Sequence, residues 1–481
     1  MRRARPHVVR RRPDQPRRVR VGGLGTYPGD HLMSSAPRPP SASEPAASEP
    51  AAVQRGASEP APPPQCPAHH AHGGGGTGLL PLSAAVGAPD PRAVYRQLRA
   101  EWGNVAKVEL EPGVPAWLVM GYRELLTITR QEQIYSRDGR KWRHMHDGVV
   151  APDSGLLPMM GWRASVIGSD GPEHRRLRKP LDDGIAKIDQ RKVRRHVEQI
   201  CTDLIAKFSE RGSADLVNEY ATIVPMLSLA SLFGLDAIEG RELLDALIAL
   251  FGSADDSQAG NRHFEQILLD TVRERQRNPT DDMTTVFINH PNLLNEAERL
   301  QSIVVMISAG NETVTAWIAH TLRLMLTDPR FAARLHGGRL GVDDALDQAL
   351  WRDPPMNNMP ARYALHDTEL GGRFIQRGDC LILGHAAAND DPAIRPDEGD
   401  EEPGNRAHLA FSAGPHVCPA QVPARLITRT AVHTALNLLP DMKLAVPAEE
   451  VTWRPSPWTR IPVALPAQFS AARIPIRTGR G

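Results

Sequence analysis

The pattern of apolar and polar positions along the chain predicts a mainly helical protein. Over residues 191–208, apolar side chains recur at the spacing of a helix that buries one face. Residues 220–235 and 242–251 are more evenly apolar and predict buried helices. The longest apolar helical run covers residues 300–326 and should end at Asp328, because Pro329 follows it.

Strand patterns are few. Residues 117–128 begin like a short strand and continue like a helix, and further strand signals cluster within residues 362–375 and 381–383. The expected fold class is therefore mainly α with a small β region.

The first part of the chain differs from the rest. It opens with many arginines and continues through a Pro/Ala/Ser/Glu stretch to a glycine run at residues 73–76. Such a composition cannot bury enough apolar surface to offset the entropy lost on ordering. We predict a disordered tail over residues 1–78 and one globular domain over residues 79–481. Two further interpretations stay open, namely that the basic start contacts nucleic acid, or that translation begins downstream, for instance at Met33.

Composition narrows the class of protein. The 57 basic and 56 acidic side chains nearly cancel, so we expect neither a nucleic acid nor a membrane surface as partner of the whole chain. The four cysteines show no paired spacing, so we expect reduced thiols and a cytoplasmic protein. The sequence has no uncharged apolar run of about 18 residues, so we expect no transmembrane helix. The N-terminus lacks the apolar core of a secretory signal.

The most informative motif is Phe-Ser-Ala-Gly-Pro-His-Val-Cys-Pro-Ala-Gln at residues 411–421. Gly414 and Pro415 predict a turn before Cys418, and a helix should run from about residue 424 to 439. A thiolate at the start of a helix receives backbone N–H groups, which should lower its pKa and suit it to bind a soft metal. A buried structural thiol is the alternative.

The long predicted helix carries a second motif, the run Ala309, Gly310, Asn311, Glu312 and Thr313. Glycine within a helix costs about 1 kcal/mol relative to alanine, so Gly310 indicates a flat partner close by or a kink. The alternative is ordinary helix packing through small residues. Glu312 and Thr313 place a carboxylate and a hydroxyl that can relay protons on an apolar element. The alternative is a solvent-facing glutamate beside a core threonine.

A third motif is the pair His174 and Arg178, which are four residues apart and should share one helical face. Two cations on one face suggest an anion between them, although a solvated basic helix is the alternative.

Together these motifs resemble the cytochrome P-450 family of haem-thiolate proteins, over about residues 115–439. In the haem-binding loop of that family, a Phe, a Gly, a basic residue and the ligating Cys recur in the order of Phe411, Gly414, His416 and Cys418. The resemblance implies the mainly helical cytochrome P-450 fold. It also implies haem b (heme b, iron protoporphyrin IX), with Cys418 as the axial ligand of the iron.

The same resemblance implies roles for the other motifs. Residues that would bind the haem propionates or lie beside the haem are His174, Arg178, Ala309, Gly310, Arg362, His416 and Ala420. Thr313 would orient dioxygen and the water that protonates it, and Glu312 would supply protons. The implied reaction inserts one atom of O2 into an apolar small molecule. Because the chain ends about 60 residues after Cys418, we expect electrons from a ferredoxin and a ferredoxin reductase.

Two departures from the family lie next to the cysteine. Ala420 replaces the usual glycine, which adds a methyl group close to the expected haem, and Pro423 replaces a usual leucine. Proline is tolerated in the first turn of a helix, so neither change excludes haem.

A third departure concerns the Glu-x-x-Arg ion pair that the family carries on the helix before its sheet. Gln348 and Trp351 occupy those positions, and Asp347 and Arg352 are five residues apart and off one face. We expect the ion pair to be absent, and we hypothesise that the Gln348 carbonyl accepts the indole N–H of Trp351.

These departures motivate an alternative function, a haem-binding relative that does not turn over substrate. A nucleic-acid-binding protein, suggested by the arginine tail alone, ranks far behind.

Overall fold

The computed structural model describes residues 78–250, 254–328, 341–395 and 404–475. The tail predicted over residues 1–78 lies outside the described residues except for its last position.

Helices dominate the described part of the chain. The helices are α1 (Leu82–Gly87), α2 (Pro91–Trp102), α3 (Tyr122–Arg130), α4 (Arg143–His146), α5 (Leu157–Met160), α6 (Gly171–Ala186), α7 (Gln190–Phe208), α8 (Ile223–Leu232), α9 (Ala237–Leu250), α10 (Ala254–Arg277), α11 (Met283–Ile288), α12 (Glu296–Thr327), α13 (Val342–Arg352), α14 (His385–Asn389) and α15 (Gln421–Leu438). The helical periods read over residues 191–208 and 300–326 are confirmed as α7 and α12, and a π-helical turn at Val217–Ala221 leads into α8.

Local sequence explains where several helices start. Asp189 accepts hydrogen bonds from the first N–H groups of α7, and the Asn295 side chain accepts one from Glu298 N at the start of α12. These side chains satisfy amide groups that have no partner within the helix. Helix α12 ends before Asp328, as the following proline predicts.

The strands are short. They are β1 (Val105–Glu111), β2 (Val114–Val119), β3 (Tyr135–Ser136), β4 (Ser213–Asp215), β5 (Asn358–Ala364), β6 (Thr368–Leu370), β7 (Arg373–Ile375), β8 (Cys380–Gly384), β9 (Lys443–Leu444) and β10 (Pro466–Gln468). Within the described ranges, the main sheet has five strands in the order β1-β2-β8-β5-β3. Only β2 and β8 pair in parallel there. The strand-to-helix pattern read from residue 117 is confirmed as the end of β2 followed by α3.

Helix α12 forms the centre of the larger apolar core. It packs against α8, α10, α11, α13 and α15, and its Trp317, Ile318 and Leu322 are buried. By length and composition α12 resembles a membrane-spanning helix, but most of its most apolar stretch is buried inside the protein, as in a core helix. The mainly α fold with small sheets is therefore confirmed.

A buried ion cluster joins the end of α13 to both termini of the described domain. Asp353 Oδ2 lies 2.6 Å from Arg323 Nη2, and its Oδ1 lies 3.3 Å from Arg460 Nη1. Arg460 also donates to the carbonyls of Val86 and Ala88. Burial alone would raise the pKa of Asp353, but the charges of Arg323, His320 and Arg460 lower it well below its usual value.

We expect Asp353→Asn to lower the free energy of unfolding by about 3–5 kcal/mol at neutral pH, because two arginines lose their buried counter-charge. The folded pKa is depressed, so the contribution of Asp353 is complete above its unfolded pKa of about 3.9 and disappears as the pH falls through the folded pKa. Urea unfolding followed by circular dichroism at several pH values measures this. Glu198→Gln removes an exposed ion pair with Arg194 and should change stability by less than about 0.5 kcal/mol. Equal effects of the two substitutions would contradict the assignment.

Candidate functional site

The cysteine loop, residues 411–420, lies immediately before α15. The N–H of Cys418 donates to the carbonyl of Phe411 at 3.0 Å, and the N–H of Val417 donates to the carbonyl of Gly414 at 3.0 Å. The Gln421 side chain donates to the carbonyl of Cys418 at 3.2 Å. These bonds close the loop on itself and fix the backbone of Cys418 at the start of the helix.

The sequence predicts a lowered pKa for Cys418, but the surrounding protein raises it, so this prediction is wrong. Burial raises the pKa of this thiol, while the backbone N–H of Ala420 and the charge of Arg178 act in the opposite direction. Removal from water disfavours the thiolate more than one N–H group and one guanidinium favour it. The stabilising contacts expected at a helix start are present, but they are the smaller effect.

Gly414 permits a close approach between the cysteine loop and α3. Its φ is +71°, and a Cβ built on it would lie 2.1 Å from the carbonyl oxygen of Thr129. Any larger residue would combine backbone strain with a backbone clash. On the other side of the loop, the ring of Phe411 packs edge-on against Trp317 of α12, with ring centroids 5.7 Å apart.

A basic pocket forms beside this loop from residues that are distant in sequence. His174 and Arg178 lie on α6, as predicted, and the rings of His174 and His416 are 3.9 Å apart. Arg178 Nη1 donates to the carbonyl of Pro415 at 3.2 Å, and its Nε donates to Asp182. Arg362 on β5 is 2% exposed, and its charge lowers the pKa of both histidines.

Both ring nitrogens of His174 lack hydrogen-bond partners among the described residues. Nε2 of His416 makes no hydrogen bond there either, but it lies 3.6 Å from both Glu132 Oε1 and Asp170 Oδ1. Burial, followed by the charge of Arg178, lowers the pKa of His174 to about 4. Burial also lowers the pKa of His416, with Arg362 and Arg137 adding to the effect and Asp170 opposing it. Buried N–H donors beside two buried guanidinium groups fit a ligand that brings negative charge. The two propionates of a haem meet this requirement.

A metal ion is a weaker fit to the same residues. Glu132, His174 and His416 place three potential ligand atoms within 4.8 Å of one another. Arg137 and Arg362 lie beside these histidines, so a divalent cation would be repelled by two guanidinium groups. The pocket therefore favours an anion over a cation.

Helix α12 presents one partly exposed face within an otherwise buried element. Ala309 is exposed, and Val305, Met306, Gly310 and Thr313 are partly exposed on the same helical face. The Thr313 hydroxyl donates to the carbonyl of Ala309 at 2.7 Å. This face lies one turn before Trp317, the residue that packs on Phe411.

Glu312 and Gly310 of the α12 motif contact other parts of the protein, whereas Asn311 is buried and its Oδ1 has no hydrogen-bond partner among the described residues. Burial raises the pKa of Glu312, partly opposed by Arg454 and by a hydrogen bond from Thr459, whose Oγ1 lies 3.5 Å from Glu312 Oε1. Leu229 of α8 lies 3.1 Å from the position that a Cβ at Gly310 would take. This contact supports packing through a small residue as the reason for Gly310, and its contact with a cofactor stays a prediction.

The expectations about α13 need correction. Trp351 Nε1 donates to the carbonyl of Asn405 at 2.9 Å, and Gln348 Nε2 has no partner among the described residues. The hypothesised bond from Trp351 to Gln348 is therefore wrong, because the indole points to the segment before the cysteine loop. Gln348 and Trp351 leave no Glu-x-x-Arg pair within α13, but Asp347 of this helix pairs with Arg406 and Arg425 from other segments.

Sequence reasoning missed these partners of Asp347 because it searched only within one helix. Arg406 and Arg425 are 59 and 78 residues away from Asp347 in sequence. The position of Arg425 early in α15 was a usable signal, because a buried arginine there requires an acidic partner.

Similar proteins are known over most of the length of this chain. No protein-family model matches the chain. It is 26% identical over 369 residues to 2-hydroxy-5-methyl-1-naphthoate 7-hydroxylase of Streptomyces carzinostaticus, covering 73% of this chain and 88% of that protein. It is also 26% identical over 397 residues to the cytochrome P-450 monooxygenase PikC of Streptomyces venezuelae, covering 80% and 92%. The solved structure of the Streptomyces coelicolor protein CYP154A1 superposes with a TM-score of 0.72 at 27% identity, covering 81% of this chain and 99% of that one.

Gly414→Ala should reduce both stability and haem content, because the added methyl meets the Thr129 carbonyl. Gly404→Ala is the matched control, since Gly404 also has a positive φ of +81° but no atom within 4 Å of its Cβ position. Backbone strain alone should cost the control about 1–2 kcal/mol. Thermal unfolding and the ratio of haem to protein after purification measure the difference. If the two variants behave alike, the close approach to α3 is not what requires Gly414.

Proposed function

This chain belongs to the bacterial cytochrome P-450 superfamily, and we propose on that premise that it inserts one oxygen atom of dioxygen into an apolar small molecule. It is a monooxygenase of the haem-thiolate class. The observation that carries the proposal is the cysteine loop with Cys418 at the start of α15, beside His416 and the buried His174, whose ring nitrogens have no hydrogen-bond partner among the described residues. This combination suits an iron ligand next to a site for propionates.

The residues around the loop would hold haem b. Cys418 would bind the iron through its sulfur, and the N–H of Ala420 would help to stabilise the negative charge there. His174, His416 and Arg362 would bind the propionates, whose oxygens would give the ring nitrogens of His174 a hydrogen-bond partner. The haem would supply the iron chemistry that activates dioxygen, which a thiolate ligand would favour.

Thr313 and Glu312 would take part in proton transfer at the partly exposed face of α12. The Thr313 hydroxyl would position dioxygen and the water that protonates it. The raised pKa of Glu312 means that its carboxyl keeps a proton to a higher pH than an ordinary glutamate does. A carboxyl that holds its proton in this way is suited to act as a proton donor.

The proposed class of substrate follows from the partly exposed face of α12. Val305, Met306 and Ala309 give the exposed face of α12 an apolar character, which favours an apolar substrate. The name of the naphthoate 7-hydroxylase relative points in the same direction. We propose a ferredoxin with its reductase as the electron donor, and the cytoplasm as the location.

The carbon monoxide complex of the reduced protein tests the axial ligand. Thiolate ligation should give a strongly red-shifted Soret band, and Cys418→Ser should lose it. Cys380→Ala removes another buried thiol, located on β8 away from the loop, and should keep the band. Absence of the band in the unaltered, folded protein reconstituted with haem would refute the proposed function.

Thr313→Ala should uncouple electron consumption from product formation. Compounds whose binding shifts the Soret band serve as substrates, with a surrogate ferredoxin and reductase. Since proton-relay groups contribute about 10²- to 10⁴-fold, product per NADPH should fall at least about tenfold while peroxide rises. Thr313→Ser keeps a hydroxyl and should retain most of the coupling. Equal coupling in the two variants would remove Thr313 from the proposed role.

The alternative of a haem protein without turnover has less support than the sequence suggested. One of its motives was the missing ion pair on α13, and that helix does carry a paired carboxylate. Spectral binding of many compounds by the unaltered protein with no product from any of them would favour this alternative.

A further inference from the structure

Asp347 is a buried carboxylate in the middle of α13. It is 3% exposed. Its Oδ2 accepts a hydrogen bond from Arg406 Nε at 2.9 Å, and its Oδ1 accepts one from Arg425 Nη2. His408 Nε2 lies 3.9 Å from the same Oδ1. One carboxylate thus gathers two guanidinium groups and an imidazole.

The partners of Asp347 flank the cysteine loop on both sides. Arg406 and His408 precede the loop, and Arg425 lies in α15, seven residues after Cys418. A carboxylate on α13 therefore ties down the chain before and after the cysteine. Within each of these segments, a movement of the backbone would separate opposite charges in a poorly solvated place.

A series of direct contacts leads from Arg425 to the backbone of Cys418. The Arg425 guanidinium lies 5.4 Å from the centroid of the Trp317 ring. The Trp317 indole donates to the carbonyl of Leu346 at 3.0 Å and packs against Phe411. The carbonyl of Phe411 accepts the N–H of Cys418. Each contact is short enough to transmit a displacement of Arg425 to the loop.

The charge of Asp347 is stable in these surroundings. Burial alone would raise its pKa, but its interactions with His408, Arg425 and Arg406 lower the pKa overall. The neighbouring Gln348 and Trp351 carry no charge, and neither can take over the interaction with the arginines.

We propose that Asp347, through Arg406 and Arg425, is the group that positions the cysteine loop beneath the haem in this chain. It would do so from the helix on which relatives typically carry the Glu-x-x-Arg pair. The inference rests on the proposed function, because a positioned loop has this meaning only if Cys418 binds iron. Asp347 is a positioning residue and touches neither substrate nor iron.

Asp347→Asn tests the proposal while nearly keeping the side-chain shape. We expect a smaller fraction of the reduced carbon monoxide complex to show the red-shifted Soret band. We also expect haem transfer to excess apomyoglobin to be about tenfold faster, in line with the 10- to 100-fold effect of residues that support metal ligands. The matched control is Asp270→Asn, which removes an exposed carboxylate from α10, where it pairs with Arg273 at 3.6 Å. It should stay within about twofold of the unaltered protein in both measurements.

A second pair of variants covers the case in which Asp347→Asn does not accumulate. The Arg406 side chain is 58% exposed, so Arg406→Gln should fold. It should shift the spectrum and haem loss in the same direction, whereas Arg406→Lys should retain more of the red-shifted band. A purely structural role would lower the unfolding midpoint but leave the spectrum of the folded, haem-loaded fraction unchanged.

The outcomes separate the two proposals. Absence of the red-shifted band in the unaltered protein would overturn the proposed function and this inference with it. A normal band in the unaltered protein, together with an unchanged spectrum and haem-loss rate in every Asp347 and Arg406 variant obtained, would overturn this inference alone. Loss of the band in Asp347→Asn or Arg406→Gln, with Asp270→Asn unaffected, would support it.

Discussion

The candidate site depends on holding one sulfur atom, that of Cys418, in a fixed place and partly out of water. A sulfur anion loses solvation there, so burial opposes the charge that iron ligation requires. The protein offsets this with a rigid cysteine loop and a few directed contacts. The Cys418 N–H is bonded within the loop, and Gly414 lets the loop approach α3 more closely than a side chain would permit. A loop so constrained gives the sulfur little freedom to move away from a bound metal.

The basic pocket would hold a different part of the same ligand, its negatively charged groups, in a fixed place. Arg362 and Arg137 bring positive charge, and His174 and His416 bring ring nitrogens, to a buried place that also holds Asp170. Charge that stays uncompensated there is unfavourable. A fold keeps such an arrangement when a ligand supplies the missing acceptors. Binding of an anionic cofactor would then stabilise the native state by mass action. Cofactor binding and folding stability should therefore be coupled in this protein.

Helix α12 connects these parts. Trp317 lies in the core and against the cysteine loop, while Thr313, one turn earlier, lies on the face left open to a ligand. A single rigid element thus carries the groups proposed for oxygen chemistry and also supports the loop proposed to hold the iron. The same helix bears Arg323, which neutralises Asp353 at the end of α13. Packing, charge compensation and the site share one scaffold.

The sequence by itself determined the helical class, the positions of α7 and α12 along the chain, and the cysteine loop. Each of these depends on local periodicity or on a short motif. Only the tertiary structure decided how distant segments meet. Asp347 finds its partners 59 and 78 residues away, and Trp351 bonds to the Asn405 carbonyl and not to its neighbour on the helix. The direction of the Cys418 pKa shift was likewise decided by burial, which no local pattern measures. Contacts and solvent exclusion depend on how distant parts of the chain fold together. The motifs could therefore be predicted from the sequence, whereas the residues that contact them could not.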